Sequence, residues 1–241
     1  LHTRFTPSRH LPAVPVMSTN HPGRLAMQTA HHDRIRLGAL GLGLSALLLM
    51  VFPLARPFFR MNIFAPEETM AEASPAFASV AWVLSHYLAT LGFVLLLGGM
   101  LALYALLVGT ETEPRAFRGL LWGMMGVALI LPALGVEAFT MPVIGKLHLD
   151  GATGLAPVIS LTYRGPMTIV LLFGLVFLAV GAFNFAFAIR RSRQLPVWAG
   201  FVFAIGLALW LPLLPKPVRI IDGLLIGVGG IPLAWSMWRR A

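Results

Sequence analysis

Six apolar stretches occupy most of the chain beyond residue 36: Leu37–Leu54, Val80–Gly109, Gly119–Val143, Met167–Ile189, Val197–Leu214 and Ile220–Trp238. About 20 consecutive apolar residues carry a helix across the ~30 Å hydrocarbon core of a bilayer, so each stretch reads as a transmembrane helix. None alternates with a period of two, which excludes a β-barrel. A soluble domain does not combine 58% apolar residues with only 11% charged ones. The expected fold is therefore all-α, a polytopic integral membrane helical bundle of about six transmembrane helices over residues 35–241. A disordered basic tail is expected over residues 1–34, where Pro7, Pro12, Pro15 and Pro22 interrupt a polar sequence without apolar period. Met17 and Met27 compete with Leu1 as the true start. Prolines also predict helix starts: Ser74 capping Pro75, Thr112 shortly before Pro114, and Pro217 opening the last helix.

The formal charge of +9 sits beside the apolar stretches instead of forming one block, so it reports topology, and no nucleic-acid partner is expected. With the N-terminus inside, the inner side holds nine basic residues near the spans: Arg34, Arg36, Arg115, Arg118, Arg190, Arg191, Arg193, Arg239 and Arg240. The outer side holds six: Arg56, Arg60, Lys146, Arg164, Lys216 and Arg219. Basic residues collect in cytoplasmic loops, and Trp122, Trp198, Trp235 and Trp238 mark the same inner helix ends. The expectation is a multi-pass protein of the plasma (inner) membrane with both termini cytoplasmic. Without cysteine the chain has no disulfide, thiol nucleophile or thiolate metal ligand.

In lipid, small residues mark the faces on which helices approach each other. In the third span Gly119, Gly123, Gly126, Ile130, Ala133, Glu137 and Thr140 are spaced in steps of three and four and form one stripe, which turns Glu137 toward the bundle. Pro132 lies about one turn before it and predicts a kink. In the second span Ser79, Val83, His86, Thr90 and Phe93 share a face by the same spacing. His86, Glu137, Thr90 and Thr140 thus form a candidate intramembrane polar site in the outer leaflet, with His86 and Glu137 approaching one another as a proton-sharing pair. His148, Asp150, Arg164 and Asp222 form a candidate polar cluster on the outer face, fed by two long loops, Arg60–Ser74 and Lys146–Pro166. Imidazole and carboxylate are ligands a first-row metal accepts, but no H-E-x-x-H spacing is present, and the same groups also suit a buried proton-sharing network or plain interfacial polarity.

Nucleotide loops, nucleophile elbows and kinase signatures are absent from the sequence, and no cofactor is expected. Three function classes stay open. A small transporter or channel accounts for the inward carboxylate and the proline kink. An accessory or assembly subunit of a membrane complex accounts for the scarcity of deep charge, and a membrane-embedded metal-dependent enzyme would use the outer polar groups. The lipid bilayer is the expected environment, with a small-molecule or ion substrate, a second copy of the chain or another membrane protein as the partners these classes imply.

Overall fold

The computed structural model describes residues 22–59, 66–211 and 214–241, with side chains from His32 onward. Helix α1 spans Pro22–Ala55, α2 Met70–Phe77, α3 Val80–Leu107 and α4 Glu113–Gly135. A π turn, Val136–Thr140, leads into α5 (Met141–Leu149), with α6 (Ala156–Arg164), α7 (Pro166–Ser192), α8 (Val197–Ala208) and α9 (Lys216–Arg240) after it. No strand occurs among the described residues. Among the described residues, five segments are long and apolar enough to cross a membrane: His32–Ala55, Val80–Leu107, Glu113–Leu149, Ala156–Ser192 and Lys216–Arg240. The protein is an all-α membrane bundle.

The fifth expected span departs from the sequence reading. Among the described residues there, α8 is the helix, and its 12 residues cover about 18 Å at 1.5 Å per residue, short of a ~30 Å core. The helix stops because Pro212 and Pro215 lack the N–H that would continue the ladder. Leu209, Trp210 and Leu211 follow α8 outside any helix. Gly200, at the start of α8, lies beside Ile189 near the end of α7, whereas Trp210, just beyond α8, packs on Phe52 at 5.9 Å and edge-to-face on Phe93 at 4.8 Å, toward the other end of the bundle. Such backbone is tolerated at membrane depth where it is buried in protein, and Trp210 is 1% exposed. Arg36 in α1 lies over Trp238 in α9 at 5.6 Å, which places the stretch of α1 around Arg36 and the end of α9 at one end of the bundle. The opposite end is capped by α2, the π turn and α6, where Phe77, Trp82, Met141 and Ile159 form a small second core.

Glycines set how closely the helices pack. A Cβ on Gly126 would meet the Leu178 Cα of α7 at 2.7 Å, and one on Gly181 would meet the Gly123 Cα of α4 at 2.7 Å. On Gly99 it would meet the Leu42 Cα of α1 at 3.0 Å, and on Gly206 the Ile226 N of α9 at 2.6 Å. These pairs, α4 with α7, α1 with α3 and α8 with α9, are held by backbone approach, as expected where lipid removes the hydrophobic drive between helices.

Several local expectations change. Ser74 does not cap a helix; Pro75 lies inside α2, and the cap of α3 is Ser79, whose Oγ accepts from the Trp82 N–H at 3.1 Å. Thr112 precedes α4 with Pro114 in its first turn, and α9 starts at Lys216 with proline in its first turn. Of the tail expected over residues 1–34, residues 1–21 lie outside the described residues and α1 begins at Pro22.

At the uncapped end, Arg191 forks onto Glu111 of the α3–α4 turn, with Nε to Oε1 at 3.2 Å and Nη2 to Oε2 at 3.1 Å. The guanidinium holds the Glu111 carboxyl below its ordinary 4.5. A depressed carboxyl contributes stability that is present above the unfolded-state value and lost as pH falls through the folded-state one. Both side chains are about two-thirds exposed, so the contribution is small and screened by salt. Glu111→Gln should lower the melting temperature slightly at neutral pH and low salt, and the difference from wild type should vanish in a melting series once the pH falls well below 4.5.

Candidate functional site

The irregular turn after Pro132 creates the site. Within Val136–Thr140 the helix widens, and the Met141 N–H reaches back five residues to the Val136 carbonyl. Widening loosens the backbone ladder, and the Trp82 indole Nε1–H of α3 donates to the Glu137 carbonyl at 2.7 Å. Trp82 is therefore buried as a tie between two helices. The extra residue in the turn also rotates the helix beyond it. Thr140, expected on the Glu137 face by α-helical spacing, is exposed and takes no part in the site.

His86 and Glu137 are brought together. The His86 Nε2 lies 3.8 Å from the Glu137 Oε2, within ion-pair range and longer than a hydrogen bond. The tautomer is fixed by the other ring nitrogen. His86 Nδ1 lies 2.7 Å from the Trp82 carbonyl, and a carbonyl can only accept, so Nδ1 carries the proton. Neutral His86 then turns the lone pair of Nε2 toward a carboxylate oxygen. Two acceptors face each other, and one proton placed between them turns repulsion into attraction. Glu137 Oε1 is held by the Tyr163 hydroxyl of α6, which donates at 2.6 Å, while Oε2 has no hydrogen-bond donor among the described residues. Thr90 contributes one turn away by donating to the His86 carbonyl at 2.8 Å, which supports the helix beneath the histidine.

Around this pair lies a cavity of about 40 Å³, room for about three waters where each needs roughly 10–15 Å³ of such space. Its polar wall is Arg56, His86, Glu137, Tyr163, Thr168 and Arg219. The remaining wall is apolar, including Phe52, Leu134, Leu171 and Trp210. Arg56 stacks over the Trp82 ring at 4.5 Å. Arg219 is 1% exposed, lies between the Trp210 ring at 5.0 Å and the Phe52 ring at 5.4 Å, and has its Nε 3.6 Å from Asp222 Oδ2. A second void of about 20 Å³, lined by apolar residues such as Leu42, Met100 and Phe203, lies deeper in the bundle. No known family, curated protein or solved structure matches the chain. The site must be read from its own geometry.

Of the expected outer-face cluster, one member lies inside the bundle. Asp222 is fully buried, because Arg219, Asp222, Gly223 and Ile226 share the face that α9 turns into the bundle. His148 and Asp150 end α5 and Arg164 ends α6, and none of the three lines the cavity. Among the described residues no three His, Asp or Glu side chains converge to hold a metal ion. Arg56, Tyr163 and Arg219 are functional candidates that spacing did not single out. The same steps of three and four on α9 signal Arg219, while Tyr163 reaches Glu137 only through the folding-back of α6 and leaves no mark in local periodicity.

Proposed function

We propose that the protein is a small membrane transporter whose substrate site is the polar cavity around His86 and Glu137. The observation that carries this reading is a confined space, walled by two arginines, an imidazole and a carboxylate, at one end of a bundle that is otherwise packed through glycine contacts. Ionisable groups inside a membrane are costly and mark ion or substrate paths. The closed packing of α4 on α7 beyond the cavity favours a carrier that alternates over an open pore, and the π turn beside Glu137 supplies a place where the helix can change register. Full-length protein reconstituted in vesicles and screened with small anions, cations and neutral solutes tests the reading. Saturable, protein-dependent flux of one solute class that Glu137→Gln abolishes would support it. Absence of flux across the panel, with a stoichiometric partner retained through purification, would transfer the protein to the assembly-subunit class.

The capped end is proposed to face outward in the plasma membrane, with both termini in the cytoplasm. Arg56 and Arg219 line the cavity and are not loop charges. Removing them from the outer side leaves Arg60, Lys146, Arg164 and Lys216 against nine inner basic residues, which sharpens the bias. A single cysteine at Thr153 should react with a membrane-impermeant maleimide in intact cells, and one at Ser192 should react only after lysis. The reverse pattern would invert the protein.

A further inference from the structure

The cavity holds more hydrogen-bond donors than the protein uses. Arg219 is 1% exposed, yet its Nε and Nη1 find no acceptor at hydrogen-bond distance among the described residues, and Asp222 at 3.6 Å is an ion-pair neighbour only. A buried guanidinium normally spends its N–H groups, because an unmet donor in low dielectric is costly. Here the unspent donors belong to a side chain that lines the cavity, with Arg56 on the same wall. A planar guanidinium matches a carboxylate through two parallel bonds. The apolar remainder of the wall, Phe52, Leu134, Leu171 and Trp210, suits a short alkyl group better than a fully hydrated inorganic ion. The cavity volume of about 40 Å³ limits the occupant to a few heavy atoms.

Charge decides what enters with it. The charged and titratable groups that line the cavity, or pair with a group that does, are Arg56 after α1, His86 on α3, Glu137 in the π turn, Tyr163 on α6, and Arg219 with Asp222 on α9. With both arginines protonated, both carboxylates ionised, and imidazole and phenol neutral, the site sums to zero. Adding an anion alone would leave a net negative charge in low dielectric, which is strongly disfavoured. Adding an anion and one proton restores neutrality, and the geometry supplies the place for that proton, between His86 Nε2 and Glu137 Oε2.

We infer that the cavity binds a short-chain monocarboxylate together with one proton, the carboxylate on Arg219 and Arg56 and the proton on the His86–Glu137 pair. Its consequence for transport, that the acid moves as anion plus proton, rests on the carrier reading above. Binding itself does not. Glu137→Gln changes the balance: the site then carries one positive charge and takes the anion without a proton.

Acetate titrated into the purified full-length protein in detergent, in weak buffer above neutral pH, tests this, with tryptophan fluorescence reporting occupancy beside Trp210 and a pH dye reporting protons. The expected result is saturable acetate binding with close to one proton taken up per acetate, and affinity that falls about tenfold per pH unit while the free site is deprotonated. Glu137→Gln should bind acetate with no proton uptake and no pH slope. Arg219→Lys, which keeps the charge but loses the fork, and the partly exposed Arg56→Gln, which spares the core, should each weaken acetate at least tenfold. Absent binding, binding without proton uptake in the wild type, an unchanged proton count in Glu137→Gln, or chloride binding as tightly as acetate would each overturn the inference. Acetate and proton binding without vesicle flux would remove the carrier reading and leave the site standing. Flux of another solute without acetate binding would do the opposite.

Discussion

Arg219→Met should destabilise the bundle by about 3–5 kcal/mol, because it leaves Asp222 buried and without its counter-charge. Asp222 is 0% exposed, and both of its carboxylate oxygens lack hydrogen-bond donors among the described residues, so Arg219 is its main compensation. Asp222→Asn should cost a comparable amount by stranding Arg219 between Phe52 and Trp210. The double variant should recover most of the loss, since replacing a buried ion pair by neutral groups of similar volume is often neutral or better. Unfolding of the four proteins in a denaturing detergent series gives the coupling energy directly. Additive losses in the double variant would mean that the two side chains act independently and that the 3.6 Å approach contributes nothing. Recovery of stability with continued loss of acetate binding would show that the arginine is retained for its ligand and not for the fold.

How far this site is legible in the sequence depends on which interactions leave a periodic trace. His86 and Glu137 are legible because the spacing of three and four along Ser79–Phe93 and Gly119–Ala133 fixes the face each side chain occupies, and a stripe of glycines says which face is packed. Thr140 is misplaced by that spacing because a π turn adds one residue to the helical cycle, and no hydropathy pattern records a register shift of that size. Arg56 and Arg219 count as loop charges in the sequence, since topology rules treat a cation beside a span as a surface group whatever it packs against. The cluster of Phe52, Trp82 and Trp210 around them is invisible for a related reason: its members come from three separate elements. The fifth span reads too long because hydropathy scores Leu209–Leu214 as apolar whether or not Pro212 allows a helix. The signal is there, in the prolines, and apolar content outweighs it.

A second large effect on the fold should come from the α4–α7 seam. A methyl group on Gly126 would fall 2.7 Å from the Leu178 Cα and 2.8 Å from the Gly174 carbonyl oxygen, and one on Gly181 would fall 2.7 Å from the Gly123 Cα. The neighbours are backbone, so no side-chain rotation relieves the clash and the helices must separate. No hydrophobic term resists separation in lipid, so its cost is the loss of the dispersion contacts that hold the seam. Overpacking of this kind costs roughly 1–3 kcal/mol, so Gly126→Ala and Gly181→Ala should each lower the melting temperature by several degrees. The double variant should lose less than the sum, since the displacement forced by the first methyl accommodates the second. Gly98→Ala and Gly135→Ala provide the contrast: an added Cβ meets nothing within 4 Å at either position, and replacing a helical glycine by alanine gains up to about 1 kcal/mol of helix propensity. Melting temperatures that fall equally for all four variants would show that glycine is retained for flexibility along the helices. A fall confined to Gly126 and Gly181 identifies backbone contact as what keeps the seam closed on the far side of the cavity.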